Sequence, residues 1–159
     1  MQTTFDAFIE TEVPQDELIV SRADFTGKIT YVNDIFAKIS GYTPSELIGQ
    51  PHNIIRHPDM PKSAYADMWK TIEAGDTWEG YVKNLRKDGG YYWVFARVST
   101  VKKDGKAVEY KSMREPVSQE KKIEIQNLYD ELRHKEEGES RVVIYVKSDK
   151  LKELESFEK

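Results

Sequence analysis

The sequence predicts an α+β domain, an antiparallel sheet with its helices on one face. Three observations carry this. Apolar residues alternate at period two in a hairpin near the N-terminus and in long runs between residues 78 and 115, while helical spacing fills the stretch between them. Asp88-Gly89 and Asp104-Gly105 each stand between two such runs, as a tight hairpin turn requires. Strands, then helices, then strands is an α+β order.

Residues 1–16 are polar with an apolar stutter at Phe5, Phe8, Ile9 and Val13, and read as an N-terminal cap. Residues 17–117 form the domain proper. Leu18-Ile19-Val20 opens a strand, Asp24-Phe25-Thr26-Gly27 turns the chain, and residues 28–32 return it. Asn33 reads as the N-cap of a helix carrying Ile35, Phe36, Ile39 and Tyr42, ended by Gly41. Thr43-Pro44-Ser45-Glu46 starts one more helical turn, with Pro44 at the first helical position. Residues 50–60 read as irregular. Pro61 then reopens a helix with Ala64, Tyr65, Met68, Trp69 and Ile72 on one face, Asp59 near enough to cap it and Gly75 to end it.

Residues 78–115 read as a three-stranded meander, making five strands in all. Tyr91, Trp93 and Phe95 alternate with Tyr92, Val94, Ala96 and Val98, so both faces are apolar and the second needs a cover, a terminal helix or a partner. The extension 118–159 opens with an amphipathic helix, capped by Ser118 and broken by Gly138, whose stripe is Ile125, Leu128, Tyr129 and Leu132. Residues 142–146 are strand-like, and Leu151, Leu154 and Phe157 suggest a last short helix.

Composition removes several function classes. None of the 159 residues is cysteine, which excludes disulfides, thiolate metal sites and any thiol adduct with a cofactor. A net charge of -4 without a basic stripe argues against nucleic acid. No apolar run is long enough to span a membrane, and the N-terminus lacks a secretory signal, so a cytoplasmic chain is expected. Phosphate-loop, nucleophile-elbow, zincin and dinucleotide motifs are absent. No catalytic residue is assigned and an enzyme is not expected.

Two places could carry chemistry. Arg56, His57 and Asp59 sit in an irregular loop that leads into a helix N-terminus, whose free amides and dipole suit an anion. Spacing alone favours a plainer reading, a rigid double-proline loop with a surface Arg–Asp pair. A metal held by His52, His57 and Asp59 lacks a fourth ligand, so no metal is assigned. On the strand, Trp78, Gly80, Val82, Asn84 and Arg86 share one face. A buried Asn84 needs a partner offering both donor and acceptor; on spacing it could equally face solvent or bond a neighbouring strand. Trp69, on the apolar helix face, reads as core.

The stretch Gly49–Lys62, with Arg56-His57-Pro58-Asp59-Met60-Pro61 at its centre and Ala66-Asp67-Met68-Trp69 after it, resembles the PAS sensory domains of bacterial aerotaxis receptors. So do Val32-Asn33-Asp34, Ser40-Gly41-Tyr42-Thr43, Trp78-Glu79-Gly80, Val82-Lys83-Asn84 and Tyr92-Trp93-Val94, and the likeness covers residues 17–133. It implies a PAS fold, non-covalent FAD and a redox or oxygen-linked signal passed to a chemotaxis partner. It implies that Arg56, His57 and Asp59 belong to the flavin loop, that Trp69 and Trp78 line the pocket, and that Asn84 bonds the ring edge. Asn33 matches a family position that its capping role explains equally well. The family's receptors continue into a membrane anchor, a HAMP domain and a coiled coil. This chain has none of these, so it is expected to be either a fragment or a stand-alone subunit, peripheral to the inner membrane through a HAMP-containing partner; a homodimer is compatible with either. The alternatives are a haem gas sensor using His52 or His57, a cofactor-free adaptor, and a flavin enzyme, which would need a nicotinamide site and an acid–base set.

Overall fold

A computed structural model describes residues 6–137. Their five strands, β1 (Ile19–Ala23), β2 (Ile29–Val32), β3 (Trp78–Leu85), β4 (Tyr91–Lys103) and β5 (Lys106–Glu115), form one antiparallel sheet in the order β2-β1-β5-β4-β3. Helices α1 (Asp34–Ser40), α2 (Pro44–Leu47) and α3 (Lys62–Glu73) occupy the connection between β2 and β3, and α4 (Gln119–Glu137) follows the last strand. Local chemistry sets the boundaries. The Asn33 side chain accepts from Phe36 N, and Gly41 closes α1 at φ 82°. Thr43 and Glu46 cap each other's backbone at the start of α2. Asp104 and Gly105 both take positive φ (53° and 78°), which suits the twist of the β4–β5 hairpin.

The sheet buries both faces, as the alternation predicted. Ile19, Ile29, Tyr92, Val94, Ala96 and Val98 join Phe36, Ile39, Leu47 and Ile72 in an inner core. The odd-numbered residues of β4, Tyr91, Trp93 and Phe95, pack outward with Tyr81 against Ile125, Tyr129 and Leu132 of α4. The terminal helix is therefore the cover that the second face required.

Four details differ from the sequence reading. Leu128 is 45% exposed, whereas Lys122 is buried along α4 because its ammonium reaches Glu10 and Glu12 while its stem lies on apolar surface. The N-terminal segment docks through Val13 and a backbone bridge from Glu10 to Tyr91, and Phe8 and Ile9 stay exposed. Residues 50–60 contain a 3-10 turn, His52–Ile55, entered at Pro51. Asp59 does not cap α3: Lys83 draws its carboxylate away at 2.8 Å, and Glu136 of α4 accepts from Lys62 N (2.8 Å) and Ser63 N (3.0 Å) instead. The helix end read as an anion site thus already holds a carboxylate of the same chain. The strand-like run 142–146 and the last short helix lie outside the described residues.

Candidate functional site

Between α3 and the inner face of the sheet lies a cavity of about 330 Å³. One wall is α3, through Tyr65, Met68, Trp69 and Ile72; the floor is Trp78, Val82 and Asn84 of β3 with Ala96 and Val98 of β4. The far side is β5, through Tyr110, Ser112 and Arg114, and the β1–β2 turn and residues 51–56 complete the rim. Trp78 is set by two neighbours. Its indole N–H donates to the Asp67 carboxylate at 2.9 Å, and its ring lies where a Cβ on residue 80 would come within 2.4 Å, so Gly80 is required. Trp69 meets Tyr110 edge-on at 5.7 Å, and Arg56 lies over the Tyr65 ring at 3.9 Å.

The cavity is polar where the sheet floors it. Arg114 is 5% exposed, and its guanidinium donates to Ser21 Oγ (3.1 Å) and meets His52 Nε2 at 3.0 Å. Ser21 and His52 also bond each other at 3.0 Å. All these partners are neutral, and among the described residues no carboxylate is paired with the cation. Burial lowers the Arg114 pKa to about 10; burial and then the Arg114 charge push His52 down to about 3, so the His52 imidazole is uncharged at neutral pH. The Asn84 amide nitrogen and the Ser112 hydroxyl are buried with no hydrogen-bond partner. The hydroxyl of Tyr92, across from Asn84 in register, is also buried and stands beside that nitrogen without closing an acceptable hydrogen bond.

Of the residues singled out from sequence, Arg56, Trp69, Trp78 and Asn84 come together around the cavity. Asn33, His57 and Asp59 do not. Asn33 spends its side chain on backbone, accepting from Val20 N and Phe36 N and donating to Leu18 O. The loop from Arg56 to Met60 wraps the β3 edge, with Arg56 bridged to the Asn84 backbone and the Met60 sulfur accepting from Lys83 N. This carries His57 and Asp59 to the outer side. His57 packs edge-on against Tyr91, and its Nδ1 accepts from Asp59 N; burial lowers its pKa to about 4. Asp59 pairs with Lys83 and lies 3.8 Å from Arg133. Burial would raise its pKa, but the Lys83 hydrogen bond and charge hold it below the usual carboxylate range. Ser112 and Arg114 belong to the cavity and were not singled out; their signal was the period-two face of β5 that they share with Tyr110, and His52, weighed only as a metal or haem ligand, lines the cavity too.

A family model described as PAS fold matches residues 29–114, the stretch that holds strands β2 to β5 and most of the cavity lining. The chain belongs to the PAS-fold family. Its PAS domain is 45% identical over 122 residues to the aerotaxis receptor of Escherichia coli K12, a match covering 77% of this chain and 24% of that receptor. It is 29% identical over 109 residues to a nitrogen fixation regulatory protein of Klebsiella pneumoniae, covering 68% of the chain and 22% of the relative. The chain thus spans about a quarter of the length of these curated relatives. Among solved structures, a light-oxygen-voltage domain studied with a flavin analogue superposes with a TM-score of 0.63 at 23% identity, over 72% of this chain and 89% of that one. A PAS domain from Colwellia psychrerythraea superposes at 0.57 and 21% identity, over 63% of this chain and 86% of that one. These likenesses establish the PAS fold.

Proposed function

We propose that this PAS domain binds FAD non-covalently in the inner cavity and serves as a redox sensor, not an enzyme, for a chemotaxis-type signalling partner at the membrane. One observation carries the reading: an aromatic-walled cavity presents a buried cation that no carboxylate of the described residues faces, with the unpartnered Ser112 Oγ on the same strand and the unpartnered Asn84 Nδ2 on β3. Buried polar groups are ordinarily satisfied, and an unpaired buried charge is costly. A planar heteroaromatic ligand carrying acceptor atoms would offer partners to groups of this kind, so the residues fit a flavin. The resemblance to the aerotaxis receptor supports FAD in particular.

A bound flavin would supply reversible uptake of electrons and protons. Tyr65, Trp69 and Trp78 would enclose its faces, and Asn84 can present either donor or acceptor to its edge by turning its amide. Arg114 would favour negative charge there, and neutral His52 beside it adds no competing positive charge. The chain contains no cysteine that could add to the ring. The next residue along β3, Lys83, points outward to Asp59 and to Gln126 of α4, so the strand that touches the ring also touches the outer helix. The outer face and α4 are the output surface in this reading. A haem reading is less well supported: His57 lies outside the cavity, and His52 faces a cation.

The test is an absorption spectrum of natively purified protein. The expected result is a flavin spectrum that bleaches on dithionite and returns in air, with FAD released on denaturation. Protein that purifies colourless and takes up no FAD, or that shows a Soret band, overturns the proposal. Asn84→Ala is expected to leave a folded chain with altered flavin potential or occupancy, and Arg56→Ala to retain less flavin.

A further inference from the structure

The cavity wall formed by α3 is held from the opposite face of the sheet. The first amides of a helix have no partners within it and need an external acceptor. No side chain local to α3 caps it, and Pro61 precedes it. Glu136, in the last turn of α4, places one carboxylate oxygen on Lys62 N and the other on Ser63 N, 74 and 73 residues away in sequence. A carboxylate there also complements the positive end of the α3 dipole. One turn before Glu136, Arg133 reaches Asp59 in the loop that enters α3, and Asp59 is itself held by Lys83. Two contacts from the end of α4 therefore meet the segment that carries Tyr65, Met68 and Trp69 into the cavity.

We infer that Glu136 is a positioning residue for the cavity: by capping α3 across the sheet edge it fixes the wall that encloses the ligand, so ligand affinity and the docking of the last turn of α4 are coupled. The coupling is reciprocal by linkage, since whatever tightens α3 favours the capped state of Glu136. It gives the output helix a direct hold on the site without passing through the sheet. The inference rests on the flavin reading for its ligand only.

The test uses the full chain with FAD as the probe. Glu136→Ala is expected to raise the FAD dissociation constant about three- to tenfold, the scale of a lost helix cap, and to speed amide exchange at Lys62 and Ser63. Glu136→Gln, which keeps one acceptor oxygen but no charge, falls between. Glu131→Ala, which removes an exposed carboxylate from the same helix, leaves both readouts unchanged. FAD is expected to slow exchange in the last turn of α4. Faster exchange at Lys62 and Ser63 with an unchanged FAD constant overturns the coupling, and so does unchanged exchange. If the unmodified chain takes up no FAD, the flavin reading fails by itself. The coupling is then judged by exchange alone: faster exchange in Glu136→Ala spreading along residues 65–72 supports it, and a change confined to Lys62 and Ser63 refutes it.

Discussion

The two faces of this sheet bury polar groups in opposite ways. On the outer face each buried ammonium has its carboxylate, Lys83 with Asp59 and Lys122 with Glu10 and Glu12, and the Tyr129 hydroxyl donates to the Tyr81 carbonyl at 2.6 Å. On the inner face Arg114 has only neutral partners, and Asn84 and Ser112 each keep an unpartnered atom. Among the described residues, the outer network pairs its buried ammonium groups and specifies how α4 docks, with Arg133 Nε its one unpartnered donor; on the inner face a whole buried charge goes without a counter-charge, and that marks where something else belongs. The same strands carry both, because successive residues of a strand face opposite sides.

The contrast is broken most strongly at Arg114. Arg114→Met removes a buried charge yet leaves the Ser21–His52 hydrogen bond intact, so the flavin-free chain is expected to gain about 1–3 kcal/mol in urea unfolding. The same change is expected to weaken FAD binding at least about tenfold by titration, as for a lost charged hydrogen bond. Lys83→Met on the outer face should do the reverse: it takes from Asp59 its closest cation, leaving only Arg133 at 3.8 Å, and costs about 1–3 kcal/mol of stability, with FAD bound far better than by Arg114→Met. If both substitutions destabilise the flavin-free chain equally, the distinction between the faces fails.

Next in size is Gly80→Ala. Its methyl would collide with the Trp78 indole, costing about 1–3 kcal/mol and shifting the tryptophan emission as the cavity floor moves.

Acid sharpens the comparison at the histidines. His57, depressed to about 4, and His52, to about 3, both lie below the ordinary value of 6.5. The unfolded chain therefore binds protons before the folded one, and stability falls as pH drops below about 6.5, continuing toward pH 4 at His57 and pH 3 at His52. The loss at His57 alone is on the order of 3 kcal/mol. Melting temperatures from pH 7.5 to 4 check this. His57→Gln is expected to reduce the slope by about half between pH 6.5 and 4, because His52 contributes over the same window and on below it. The smallest effect is expected at the rim pair Arg97–Glu79, half-exposed on both sides; Arg97→Ala should change stability by less than about 0.5 kcal/mol and leave FAD binding alone.

Periodicity made much of this legible. Period two placed Trp78 and Asn84 on one face, helical spacing gave α3 its Trp69 side, and the apolar alternation of β4 called for a cover on the second face. It did not find Arg114. An arginine near the end of a strand ordinarily reads as solvated, and only the pairing of β5 with both β1 and β4 makes that strand central and buries it. Nothing local encodes the partnership of β1 with a strand some ninety residues away. The outward placement of His57 and Asp59 had no sign in the sequence for a different reason: an irregular loop has no period, so which side of the sheet edge its side chains reach is decided by contacts such as those of Asp59 with Lys83 and Arg133. The cap from Glu136 to α3 is likewise a long-range contact with no local sign.

The unmatched guanidinium of Arg114 bears on the fate of newly made chains. If the cavity takes the proposed flavin, an unloaded molecule would open more often and spend longer within reach of proteases than a loaded one. Cellular quality control would then enrich the loaded molecules.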